Sequence, residues 1–207
     1  MKRIVSVFVV ALGTSVGLMA QQHTASGMPA KKMDGDAAKV QRALAAGPAD
    51  MTKGAAVVEV DAKGAMHELR KGTNGWTCML LAVGGGASEA MCGDKPWMDW
   101  GDAYMAKKPP TTKTLGVAYM LKGDNGASNT DPYANGPTAT NDWVVSPAHL
   151  MLLVPDSKML DGLPTDPHVG GPFVMWKGTP YAHIMVPIVA MPSKTAKPTS
   201  KPAATKK

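Results

Sequence analysis

Residues 170–187 read GGPFVMWKGTPYAHIMVP, the densest run of structure-setting residues in the 207-residue chain. Two glycines and Pro172 open it, an apolar run carrying Trp176 follows, and Gly178-Thr179-Pro180 marks a turn. Tyr181 to Val186 then alternates with the period of an extended chain. That predicts a strand with His183 and Met185 on one face. Gly, Trp, His and Pro packed this closely point to fixed backbone geometry around a few polar side chains. The stretch matches no catalytic signature.

Working outward, Pro147 to Pro155 (PAHLMLLVP) echoes Tyr181 to Pro187 (YAHIMVP). Each holds Ala-His-(Leu or Ile)-Met followed by aliphatic residues and a proline, and His149 to Val154 reads as a strand. If the two strands are neighbours, two imidazoles and two thioethers (His149, Met151, His183 and Met185) converge. That donor set suits copper(I). The competing reading is plain core packing: the chain carries 16 Met and two Phe, and methionine is an adaptable core filler.

Elsewhere the pattern is local. Asp36 to Ala46 reads as a helix, with Asp34 or Asp36 as cap, Ala37, Val40 and Leu44 on one face, and Gly47-Pro48 as the stop. Ala55 to Asp61 and Ala65 to Arg70 predict a hairpin, with Ala56, Val58 and Val60 facing together and His67 on a packed face. Asn74-Gly75 is a turn dipeptide before Trp76 and Cys78. Val83 to Ser88 is glycine-rich but lacks the lysine and spacing of a phosphate-binding loop, so it reads as a plain loop. Pro96 to Met105 is the best helix, capped by Asp94 and closed by Lys107-Lys108 and two prolines. Its Trp97, Trp100, Gly101 and Tyr104 share one face, an aromatic stripe suited to a core or to the wall of a cleft. Thr114 to Leu121 predicts a strand presenting Leu115, Val117, Tyr119 and Leu121 together. The polar segment 122–142 offers Asp124, Asn125, Asn129, Asp131, Asn135 and Asp142 as oxygen ligands for calcium, without the spacing of an EF-hand, or as residues of Asx-turns. One helical turn is expected at Asp156 to Leu160, followed by a Pro/Asp-rich connection at Leu163 to Val169 in which Asp166 and His168 read as surface residues.

Alternating strands joined by turns predict an α+β fold: a small antiparallel sheet with two or three helices, one domain spanning 36–190. Lys2-Arg3, the apolar core to Leu18 and Ala20 predict a cleaved secretory signal at 1–20, shorter than the roughly 20 apolar residues of a membrane span. A flexible leader follows at 21–35, and 191–207 reads as a disordered Lys/Pro/Ala tail. The isoelectric point near 9.3 belongs to the ends. Asp34 to Pro192 holds 13 Lys and Arg against all 16 Asp and Glu, a net −3 that carries no nucleic-acid footprint. Two cysteines in an exported chain predict a Cys78–Cys92 disulfide.

GTNGWTCM (Gly72 to Met79), SNTDP (Ser128 to Pro132) and the opening stretch resemble a family of exported bacterial proteins with no assigned activity. The likeness spans Pro48 to Val189 and implies one exported domain; it assigns no activity, cofactor or catalytic residue. In that family the segment after the first Cys is a proline- and acid-containing loop, whereas here Leu80 to Ala90 carries three glycines.

Three functional classes follow. The leading one is a periplasmic or secreted binding or structural domain, with Trp76, Trp143, Trp176 and His183 as ligand-binding candidates and a small molecule, metal or cell-envelope component as partner. The second is a copper-handling protein using the His-x-Met pairs. The third is an enzyme pairing His183 with Asp166 or Asp142, although the chain holds no G-x-S-x-G or H-E-x-x-H and only three Glu.

Overall fold

Cys78 and Cys92 lie directly opposite each other on two antiparallel strands, β3 (Thr77–Ala82) and β4 (Ser88–Gly93), joined by a disulfide. The structure, a computed structural model, describes residues 35–82 and 88–192, which belong to one compact unit. The signal at 1–20, the leader, the tail and the glycine-rich loop fall wholly or mostly outside the described residues.

The disulfide pair sits inside a much larger sheet than the small antiparallel one expected. The other strands are β1 (Ala56–Val60), β2 (Met66–Arg70), β5 (Gly116–Met120), β8 (His149–Leu153), β9 (Phe173–Met175) and β10 (His183–Pro187). Among the described residues they form an eight-stranded sheet in the order β2-β1-β3-β4-β5-β8-β10-β9. A separate ribbon pairs β6 (Ala127–Ser128) with β7 (Trp143–Val144). Three helices accompany them: α1 (Asp36–Leu44), α2 (Ala49–Thr52) and α3 (Lys95–Met105). The fold is therefore α+β with one disulfide, but its sheet is mixed, because β1 and β3 run parallel while every other pair is antiparallel.

The parallel pair follows from how the chain leaves the first hairpin. After β2 pairs on one side of β1, residues 71–76 cross to its other side, held by Thr73 N–H donating to Gly54 O (2.7 Å) and Ala56 N–H to Trp76 O (2.8 Å). Gly72 makes the crossing possible: a Cβ there would sit 2.3 Å from the Ala56 nitrogen. The Arg70 guanidinium, donating to Thr52 O and Ala55 O, ties the same corner to α2.

Both faces of the sheet are covered, which corrects several face assignments. Ala43 and Ala46 pack with Ala55, Val57, Cys78, Leu80, Ala90 and Cys92 beneath α1. Val40 and Leu44 join them, whereas Ala37 is exposed and α1 starts at Gly35 with no side-chain cap. In β1, Val57 turns toward α1 beside Cys78, and Ala56, Val58 and Val60 share the opposite face, as expected, beside Met79 and Leu81 of β3. In β5 the buried residues are Gly116, Ala118 and Met120, because the small ones admit α3, and Leu115 is left exposed. His67 stands exposed on the edge strand β2, its Nε2 3.4 Å from Asp61, and so is not packed as expected. The helix at 95–105, the first hairpin, the strand at 149–153 and a 3-10 turn at 157–160 agree with the sequence reading.

Gly72→Ala forces that backbone crossing apart and is expected to cost about 1–3 kcal/mol, read as a lower urea midpoint at unchanged m-value. An unshifted midpoint would show that the corner relaxes freely.

Candidate ligand-binding site

Strand alternation sends one set of side chains toward α1 and the other to the opposite face. There Met79 and Leu81 of β3, Glu89 and Met91 of β4, Met120, His149, Met151, Met175, His183 and Met185 line a cavity of about 460 Å³. α3 and the segment around Gly126–Ala134 line it too. Seven of the eight strands contribute one methionine each, and α3 adds Met98 and Met105. Nine of the twelve methionines among the described residues thus face one space.

The two His-x-Met strands are neighbours, but they run antiparallel. Met151 pairs with Met185, while His149 pairs with Pro187, so the imidazoles stand at opposite ends of the shared row. The four donors are therefore strung along the pair rather than drawn to one point. Each histidine instead has a methionine directly across on its other neighbour: Met120 opposite His149, and Met175 opposite His183. Both imidazoles are also set in the same tautomer. His149 Nδ1 lies 2.6 Å from Pro147 O and His183 Nδ1 3.0 Å from Tyr181 O. A carbonyl only accepts, so each Nδ1 carries the proton and each Nε2 keeps a bare lone pair. His149 Nε2 is buried with no hydrogen-bond partner among the described residues. Burial holds the His183 pKa down at about 4 and lowers that of His149, so both rings are neutral near pH 7.

Aromatic rings form the rest of the wall. Trp100, Tyr104 and Trp176 lie nearly parallel, with interplanar angles of 3–7° and centroids 5.7–6.2 Å apart. The His183 ring meets Trp176 edge-on at 4.9 Å. Trp176 holds a left-handed backbone (φ 58°), a conformation costing a side-chain-bearing residue about 1–3 kcal/mol. It is fixed there by N–H donation to Asn129 O (2.9 Å), Nε1–H donation to Ser128 O (2.6 Å) and the Thr179 hydroxyl on its own carbonyl (2.8 Å). Gly126 (φ +113°) lets Trp143 close over the backbone, since a Cβ there would lie 2.1 Å from the indole nitrogen.

One end of the cavity is polar. Asp124 Oδ1 accepts from Gly126 N (3.0 Å) and Ser146 N (2.8 Å), and Glu89 Oε1 accepts from Asn125 N (2.6 Å). Burial raises both carboxyls, Asp124 to about 6, and their mutual repulsion adds to the rise at Glu89. Glu89 in turn favours the charged form of His149, against the burial that dominates there.

Of the expected ligand-binding residues, Trp143, Trp176 and His183 share this cavity with His149, Met151 and Met185. Trp76 lies elsewhere, packed under α1 with its ring 5.7 Å from Tyr119. His183 bonds to a backbone carbonyl, and Asp142 bonds to Asn129. Asp124, Asp131 and Asp142 accept hydrogen bonds within the 122–146 segment as Asx-turn and side-chain contacts, and no group of three His, Cys, Asp or Glu that could hold a metal occurs among the described residues. Glu89 and Asp124 were not singled out as partners in the sequence. Glu89 is the lone charged residue of its local run, whereas Asp124 is one of several acids in the polar segment 122–142. Comparison with protein-family models, curated proteins and solved structures finds no match.

A histidine with a folded pKa near 4 and an unfolded value of 6.5 leaves the unfolded state binding more protons between those limits. Stability should fall as pH drops from 6.5 to 4, by on the order of 3 kcal/mol from His183 alone. The raised Asp124 acts in the opposite sense between pH 6 and 3.8. Denaturation midpoints across this range should fall less steeply for His183→Gln than for wild type. Equal slopes would remove His183 as the source.

Proposed function

We propose that this chain is an exported binding protein whose sheet holds an apolar, partly aromatic small molecule. The observation that carries the reading is the methionine- and tryptophan-walled cavity. A sheet face serving structure alone is closed by its own side chains. This one keeps about 460 Å³ open, within the range of small-molecule sites. Unbranched thioethers let the wall adapt to an occupant, while the hydrogen-bonded Trp176 holds a fixed flat surface. Binding is favoured over reaction because both cavity histidines bond backbone carbonyls rather than a carboxylate. The apolar run after Lys2-Arg3, the disulfide and the resemblance to exported proteins support export.

N-phenyl-1-naphthylamine, a neutral fluorophore, is the direct test. Its emission should rise on mixing with the protein while tryptophan emission is quenched. Ala127→Trp, which adds an indole to the lining, should abolish the rise, and Trp76→Phe, outside the cavity, should not. A signal indifferent to Ala127→Trp would place the probe elsewhere and end the reading.

A second reading, copper(I) handling, draws on the two His-Met-Met groups, in which each imidazole presents Nε2 beside a cross-strand methionine and one two residues along its own strand. Competition against bicinchoninate should then show weaker copper(I) binding for His149→Ala and for His183→Ala. Unchanged affinity in both would exclude it.

A further inference from the structure

Among the described residues, the cavity lining contains no positive residue. Its lining includes four carboxylates, Glu89, Asp102, Asp124 and Asp131, and no Lys or Arg. Glu89 and Asp124 are the inner pair, and neither takes part in an ion pair among the described residues, although Lys39, Lys53, Lys95 and Lys177 pair with other acids. Two carboxylates within reach of each other's charge, without a counterion, are costly in an apolar wall.

A second, independent feature points the same way. His149 is 1% exposed, and the Nδ1–H bond to Pro147 leaves its buried Nε2 as an acceptor with no hydrogen-bond partner among the described residues. The polar end therefore offers lone pairs and negative charge, while the aromatic wall of Trp97, Trp100, Tyr104, Trp143 and Trp176 offers ring faces. Ring faces attract cations, and so do carboxylates focused between low-dielectric walls. An anion would meet repulsion from both. A neutral ligand would leave the inner carboxylates uncompensated.

Resting on the cavity as a binding site, we propose that its ligand is a lipophilic organic cation: an amine or quaternary ammonium whose charged head lies against Glu89, Asp124 and the aromatic rings and whose apolar body lies against the methionines. The charged head supplies the missing counterion, and an N–H of a protonated amine reaches the His149 lone pair. The thioethers accept bodies of varied shape, so the charge rather than the body selects the ligand.

The test compares two ligands of one shape. Benzyltrimethylammonium and its uncharged isostere 2,2-dimethyl-1-phenylpropane are titrated into the purified protein, with tryptophan fluorescence and calorimetry as readouts. The cation is expected to bind at least about tenfold more tightly. Glu89→Gln and Asp124→Asn each retain an amide oxygen for the backbone N–H bonds, and each should weaken the cation about tenfold while leaving the isostere unchanged. Equal affinity for the two ligands, or cation binding unaltered in both variants, overturns the cationic ligand while the cavity reading stands. Failure of both ligands and of the naphthylamine probe removes the two together.

Discussion

The carboxylate of Asp94 joins the helix to the sheet. One oxygen accepts from Trp97 N (2.9 Å) at the start of α3, the other accepts from Val117 N (2.9 Å) in β5, and the Asp94 amide donates to Val117 O (3.0 Å). A capping interaction that ordinarily serves one helix here also fixes that helix against a central strand. Trp97, Trp100 and Tyr104 follow on α3 at helical spacing, so their places over the sheet descend from this one residue.

The second constraint is the sheet's division of labour between its faces. Toward α1 it presents small residues and the disulfide, which permit close packing. Toward α3 it presents methionine on almost every strand. The same alternation that gives a dense layer on one side gives a yielding, concave layer on the other. An all-methionine wall has low shape specificity, and the fixed elements around it, Trp176 in its strained backbone and the carboxylates on their amide donors, set what specificity there is.

Legibility in the sequence followed the physics of each element. α3 was readable because Asp94, Pro96 and the terminal prolines are local signals that act without tertiary help. The His-x-Met strands were readable because each is a short apolar run opened by a histidine and bounded by prolines. β3 was not, since a strand covered on both faces, Cys78-Met79-Leu80-Leu81, shows an apolar run rather than an alternation. β9, three buried residues, is too short for a period to register. Face assignments failed where large residues misled: Val117 and Tyr119 look like core, but the core side of β5 belongs to Gly116 and Ala118. The site itself was half visible. Its histidines and two of its tryptophans stood out, whereas the pairing of Glu89 with Asp124 depends on sheet order and leaves no trace in spacing.

The methionine wall also has a chemical lifetime. A thioether that gains one oxygen becomes a sulfoxide, a polar and chiral group that fits poorly among indoles. Nine such sulfurs share one space. Each oxidation event would add a dipole and an acceptor oxygen to a surface now made of weakly polarised sulfur and carbon. The cavity's character is thus a function of age and exposure as much as of sequence, and a batch with oxidised methionines presents a chemically different surface from one kept reduced.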